Sequence, residues 1–214
     1  PAPACGAAPS PRPAARARRR GALRGDALIR AVYLRHPYYA TRSKISARVL
    51  RTAEERDKVA AAQPEKKGPG VVTIGYEGKT LERYLNQLIQ DSVTLLCDVR
   101  RNPLSRKYGF SKSTLKNACE TVGIRYEHLP QLGIDSGDRR NLETQADYDA
   151  LFADYEKKSL PQQTAALDTI RRWVDEGERV ALTCYEALPC QCHRHCVAEA
   201  LERLGKKRLK PAHL

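Results

Sequence analysis

From residue 71 onward, short apolar runs alternate with stretches of helical periodicity, and few folds accommodate that alternation. VVTI at 71–74, SVTLLCDV at 92–99, IRYEHL at 124–129 and RVALTC at 179–184 read as strands. Between them, Leu81, Tyr84, Leu85 and Leu88 share one face of a helix that Thr80 can cap. Ser111 or Ser113 can cap the next helix, which runs to about Thr121 with Gly123 suited to its C′ position. Residues 146–158 and 161–176 read as two further helices, with Pro161 in the first turn of the second, and 192–204 as the last. Strands alternating with helices predict an α/β fold of three layers: a mainly parallel four-stranded sheet flanked by helices.

Residues 1–70 follow a different rule. They hold 16 Lys and Arg against 5 Asp and Glu, whereas residues 71–214 hold 22 against 20. The net charge of +13 therefore belongs to the first third of the chain, and the compact part is nearly neutral. The first 27 residues are rich in Pro, Ala, Arg and Gly without periodicity, and are expected to be disordered. Residues 28–63 are mixed, with a possible helix at 45–62, and EKKGPG at 65–70 reads as a linker to a domain at 71–214. The arginines between Arg12 and Arg24 could contact nucleic acid by counterion release, or form a solvated tail. The chain holds no methionine, so position 1 is not expected to be the native start.

The strand-to-helix junction at 179–205 concentrates the chemistry. Four of the seven cysteines (Cys184, Cys190, Cys192 and Cys196), two of the five histidines (His193 and His195), Glu186 and Arg194 fall there. Open α/β sheets place ligands at the carboxyl ends of their strands, and a helix N-terminus adds free N–H groups and a positive dipole end. Cys184 could be a reactive thiol, its pKa lowered by the helix and Arg194, with Glu186 or His193 as general acid or base. A buried structural cysteine is the alternative. Cys184, Cys190, Cys192, His193, His195 and Cys196 instead include enough soft ligands to hold zinc or iron, with Cys190, Cys192, His195 and Cys196 the candidates given no other role and Cys192 and Cys196 sharing a helical face at i, i+4. Clustered cysteines, odd in number, point to a reducing cytoplasm rather than a disulfide framework. No run approaches the roughly 18 apolar residues that mark a membrane span, so no membrane partner is expected.

A second junction follows the strand at 92–99. Arg100 and Arg101, beside a loop with Ser105, Arg106 and Lys107, could clamp a phosphate or carboxylate. Asp98 could orient Arg100 or hold a substrate hydroxyl, or the two could be a structural ion pair. His128 ends a strand at the same sheet edge, as an acid/base partner or a structural histidine, and Tyr76 could line the same cleft.

Three segments carry a family resemblance: TIGYEG at 73–78, CDVRRNPLSRKYGFSK at 97–112 with YEHLPQLG at 126–133, and CYEALPCQCHR at 184–194. Together they resemble the domain of unknown function 488 family over about residues 71–205. The family's pattern falls on Gly75, Tyr76, Asp98, Arg100, Pro103, Ser105, Phe110, His128, Leu132, Gly133, Cys184, Glu186, Cys192, His193 and Arg194. Cys190, His195 and Cys196 lie outside it. A weaker resemblance is to rhodanese-like domains, through LLCDVR at 95–100 and ALTC at 181–184, although the loop after Cys184 is longer and lacks their glycine. These resemblances imply a Rossmann-like or rhodanese-like α/β fold and a site, without a reaction. The expected ligand is an anionic or nucleotide-like small molecule held by Tyr76, Asp98, Arg100, Ser105 and Arg194. Cys184, Glu186, His193 and His128 are the candidate catalytic groups. A nucleic-acid-associated or regulatory protein using the basic extension, or a Cys/His metal module, are the alternatives.

Overall fold

The computed structural model describes residues 23–135, 137–139, 142–205 and 211–214. Four helices come first: α1 (Gly25–Arg35), α2 (Pro37–Thr41), α3 (Ser46–Val49) and α4 (Ala53–Ala60). Strands and helices then alternate as β1 (Gly70–Gly75), α5 (Leu81–Gln90), β2 (Leu95–Asp98), α6 (Lys112–Thr121) and β3 (Arg125–His128). After β3 come α7 (Gln145–Asp154), α8 (Thr164–Asp175), β4 (Arg179–Cys184), α9 (Arg194–Leu204) and β5 (Ala212–His213). The strands form one parallel sheet in the order β3-β2-β4-β1-β5. The predicted α/β class, the parallel sheet and its four strands are all present. The fifth strand, two residues long, is additional, and nothing apolar in PAHL marks it.

The three layers follow from the strand pleat. Side chains alternate across a strand, so neighbours in an apolar run serve opposite cores. Val71, Leu95, Cys97, Val180 and Leu182 pack with α8 and α9. Val72, Ile74, Leu96 and Ala181 pack with α5 and α6. Thr80 caps α5 by accepting from the Arg83 N–H, and α5 turns Tyr84, Leu85, Leu88 and Ile89 inward. Gly123 follows α6 at φ 74°, the left-handed conformation its C′ position favours. Ser111 stands at the N-cap of α6, but its hydroxyl bonds Ser105 in the preceding loop rather than the helix.

The segment before β1 differs from its expectation as a mostly unstructured extension. Residues 1–22, with the arginines up to Arg20, lie outside the described residues. From residue 25 the chain is largely helical, and Tyr33, Ala40, Val49, Leu50 and Val59 form a small core of their own. An Arg30–Glu55 ion pair ties α1 to α4, and a capping box of Thr52 and Glu55 starts α4. The Tyr39 N–H donates to Asn86 Oδ1 on α5 at 3.2 Å, so these helices dock on the α/β layers. Ile29, Val32 and Tyr33 carry the i, i+3, i+4 signal that marks α1. No helix among the described residues is long and apolar enough to cross a membrane.

Strand β5 closes the β1 edge. The Leu214 N–H donates to the Thr73 carbonyl at 2.8 Å, and His213 Nδ1 lies 2.7 Å from Thr73 Oγ1. Burial, then the Arg194 charge, lower the His213 pKa below its ordinary value of 6.5. With the folded value depressed, the unfolded tail takes up the proton first, so docking is strongest above pH 6.5 and weakens as pH falls through it. Protection of the Leu214 amide, measured relative to its intrinsic base-catalysed exchange rate, is therefore expected to fall on acidification from about pH 7 to pH 5, and to do so less in His213→Asn. A pH-independent opening equilibrium in the wild-type chain would refute this.

Candidate functional site

Because every strand is parallel, the ends of β1, β2, β3 and β4 meet at one sheet edge, and β4 reaches it between β1 and β2. The chain after β4 is drawn over the end of β1. The Tyr76 N–H donates to the Cys184 carbonyl, the Glu77 N–H to the Tyr185 carbonyl at 2.8 Å, and the Ala187 N–H to Glu77 Oε2 at 2.9 Å. A Cβ on Gly75 would lie 1.8 Å from the Glu186 carbonyl oxygen, so only glycine allows this approach. Arg194, 1% exposed, fastens the same loop from within. Its Nη1 donates to the Glu186 carbonyl at 2.6 Å, its Nη2 to the Ala187 carbonyl at 3.0 Å and its Nε to Thr73 Oγ1 at 3.4 Å.

Inside this loop, Cys184 Sγ, Cys192 Sγ and a ring nitrogen of His193 lie within 4.8 Å of one another, all buried. Cys184 Sγ is 3.9 Å from His193 Nδ1 and 3.2 Å from Glu186 Oε2. His193 Nε2 is 3.0 Å from the Val99 carbonyl, which can only accept. The Val99 carbonyl therefore accepts from Nε2, and Nδ1 faces the Cys184 sulfur. Burial opposes ionisation of Cys192, but hydrogen bonds from Cys184 and His193 and the charges of His193 and Arg194 overcome it, holding Cys192 well below the usual thiol range. Its hydrogen bond to Cys192, then burial, push Cys184 up. Burial, then the Cys192 charge, raise Glu186, which also pairs with Arg139. Elsewhere burial alone dominates: Cys119 is pushed up to about 12.

The residues at the end of β2 face inward. Arg100 Nε and Nη2 donate to the two oxygens of Asp98 at 2.8 and 2.5 Å, and Nη1 donates to Tyr76 Oη and the Phe110 carbonyl at 2.8 and 2.9 Å. Tyr126 Oη donates to Asp98 Oδ2 at 2.6 Å. Tyr76 stacks on Phe110 with ring centroids 4.4 Å apart. The expectation that Arg100 and Arg194 reach out to an anion thus meets an arrangement in which both guanidinium groups are buried and bonded to the protein. The carbonyl and hydroxyl acceptors that capture them come from distant segments. His128 is likewise engaged, Nε2 at 2.9 Å from the Arg100 carbonyl and Nδ1 at 3.1 Å from Lys112 Nζ.

A cleft of about 770 Å³ opens over this edge. Arg100, Arg101, Arg106, Lys107 and Arg139 line it against a single acid, Asp135, with Ser105, Tyr76, Tyr185, Cys184 and His193 also in its walls. The basic lining therefore comes from the loop after β2 and from Arg139, which nothing local in the sequence distinguishes. Tyr185, 44% exposed, sets its ring edge-on to Tyr76.

Of the six soft ligands offered by the sequence, Cys184, Cys192 and His193 come together in the buried trio, and Cys190, His195 and Cys196 stand outside it. Cys192 has extended backbone (φ −142°, ψ 128°), because α9 begins only at Arg194, so Cys192 and Cys196 do not share a helical face. Cys196 lies in the core, its Sγ 3.4 Å from His195 Nε2, while His195 Nδ1 bonds the Cys192 carbonyl and its ring meets Phe152 edge-on. Cys190 sits in the turn Pro189–Gln191, its carbonyl accepting from Gln145 Nε2.

Comparison with known families finds a match over residues 80–201 to the family described as Domain of unknown function DUF488. No curated protein and no solved structure matches the chain.

Proposed function

The chain belongs to the DUF488 family, whose description carries no reaction, and from its own residues we propose that it binds an anionic, nucleotide-like ligand in the basic cleft and acts on it through the centre at Cys184. The observation that carries this reading is the cleft lining. Five cationic residues, of which Arg100 is already bonded to Asp98, stand against one acid around a space large enough for a small molecule, with Cys184 and His193 in its wall. Arg101, Arg106, Lys107 and Arg139 hold the anion, and Ser105 offers a hydroxyl. Tyr185 gives a flat apolar face suited to a base or sugar. Arg100, Asp98 and Arg194 are positioning residues: they fix Tyr76 and the loop after β4. Glu186 and His193 stand against the Cys184 sulfur as proton carriers. Cys97, Cys119, Cys184, Cys192 and Cys196 are free thiols, whereas Cys190 is disulfide-bonded.

Calorimetric titration of the full chain with inorganic pyrophosphate and with ADP, at low ionic strength, tests the binding. Saturable binding is expected, weakening as salt is added. The double variant Arg106→Ala/Lys107→Ala is expected to lose about tenfold or more, since a charged hydrogen bond contributes about 1.5–3 kcal/mol. Absence of saturable binding, or equal affinity in the variant, would sink the reading.

A further inference from the structure

We infer that Cys184, Cys192 and His193 form a zinc-class metal site whose fourth coordination position opens on the cleft. The inference deepens the cleft reading and rests on it only for what occupies that open position. The geometry is the first argument. With zinc–sulfur bonds of about 2.3 Å and zinc–nitrogen bonds of about 2.0–2.1 Å, a tetrahedral ion sets its ligand atoms roughly 3.5–3.8 Å apart. Cys184 Sγ and His193 Nδ1 already stand 3.9 Å apart, and the whole trio falls within 4.8 Å, so side-chain adjustments of at most about an ångström close a tetrahedral face.

The ligands are also oriented in advance. The Val99 carbonyl holds the His193 proton on Nε2, the outer-sphere arrangement that aims a metal-binding histidine and fixes its tautomer. Cys184 ends a central strand, and Cys192 and His193 lead into α9, whose first residue, Arg194, fastens the intervening loop. The frame is therefore rigid before any ion arrives. Two sulfurs and an imidazole select zinc-class ions over magnesium or calcium, which take oxygen ligands.

Charge and access complete the argument. Two thiolates, a neutral imidazole and one divalent cation make a neutral set in a buried place, any proton still on the thiols leaving to solvent as the ion binds. Cys184 and His193 also line the cleft, so the ion's unfilled side faces it. Three protein ligands with an open position is the pattern of catalytic rather than structural zinc. Water fills that position when the cleft is vacant. Glu186, 3.2 Å from Cys184 Sγ, then stands within reach to accept the proton of such a water.

The test uses the full chain, stripped with a chelator and titrated with zinc ion alone. Elemental mass spectrometry is expected to find one equivalent per chain. Cobalt ion is expected to give the absorption of a tetrahedral thiolate complex. Cys184→Ser and Cys192→Ser are each expected to weaken zinc binding at least about a hundredfold, while Cys119→Ala, in the opposite core, keeps one equivalent. Should the serine variants fail to fold, the wild-type chain still decides: zinc should protect Cys184 and Cys192, and not Cys119, from alkylation mapped by mass. No stoichiometric zinc, retention of full affinity in either serine variant, or no protection would each overturn the assignment. Pyrophosphate titration of the stripped chain separates the two readings. Zinc without anion binding leaves the metal site standing and the cleft reading refuted, and anion without zinc binding does the reverse.

Discussion

Asp98→Ala is expected to lower the unfolding free energy by about 3–5 kcal/mol, the cost of removing one partner from a buried ion pair. Asp98 is 0% exposed and Arg100 5%, so the guanidinium left behind has no water to replace the lost carboxylate. Two other bonds fail with it, the Arg100 N–H to Asp98 Oδ1 and Tyr126 Oη to Oδ2, and so does the orientation that lets Arg100 hold Tyr76 and the Phe110 carbonyl. Asp98→Asn keeps an acceptor for Tyr126 and Arg100 while losing the charge, so its loss should be smaller. Denaturant unfolding monitored by the Trp173 fluorescence measures both. A loss below about 1 kcal/mol for Asp98→Ala would mean that the pair is not structural and would return Asp98 to the ligand-binding candidates.

Gly75→Ala is expected to disable the site at a stability cost of about 3 kcal/mol, near the top of the usual range for overpacking. The new methyl would sit 1.8 Å from the Glu186 oxygen and 2.7 Å from its carbonyl carbon, closer than the 3.0 Å below which real Cβ atoms essentially never come. Both are backbone atoms, so the loop itself must move by more than an ångström. That shift breaks the 2.6 Å bond from Arg194 and carries Glu186 away from Cys184. Anion and zinc affinity should both fall steeply while circular dichroism stays near wild type. Gly123→Ala is the companion measurement. It strains a φ of 74° but meets only an arginine tip at 3.6 Å, so it should cost about 1 kcal/mol and leave binding intact. Equal binding in Gly75→Ala and wild type would remove the loop from the site.

The fold was legible because the strands are buried on both faces. Val71 and Val72 serve different cores, so both are apolar and the run stands out. Cys184, Glu186 and His193 were legible as a group because eleven residues carry them from the end of β4 into α9. What sequence could not convey is direction. A guanidinium at a strand end reads alike whether it faces a ligand or the protein, and for Arg100 the deciding acceptors, Tyr76 Oη and the Phe110 carbonyl, arrive from other segments. Arg139 reaches Glu186 across 47 residues with no local pattern to announce it. Which of the clustered cysteines meet turns on a boundary: a helix from 192 would align Cys192 with Cys196, whereas α9 begins at Arg194 and Cys192 groups with Cys184 and His193. In the first third, α1 to α4 are individually weak, and they gain an apolar contact surface only by packing together and against α5.

The strand order has a consequence for how the chain acquires its shape. Strands β1 and β2 are neighbours in sequence but never touch, since β4 lies between them. A ribosome must therefore deliver residue 184 before either has the partner that joins the two halves of the sheet. Until then, the β1 and β2 edges remain open templates for other chains. Such non-local parallel pairing is slow to nucleate and exposed to aggregation during synthesis. The late strand is also the one that ends at Cys184, so the reactive sulfur becomes ordered in the same step that closes the sheet.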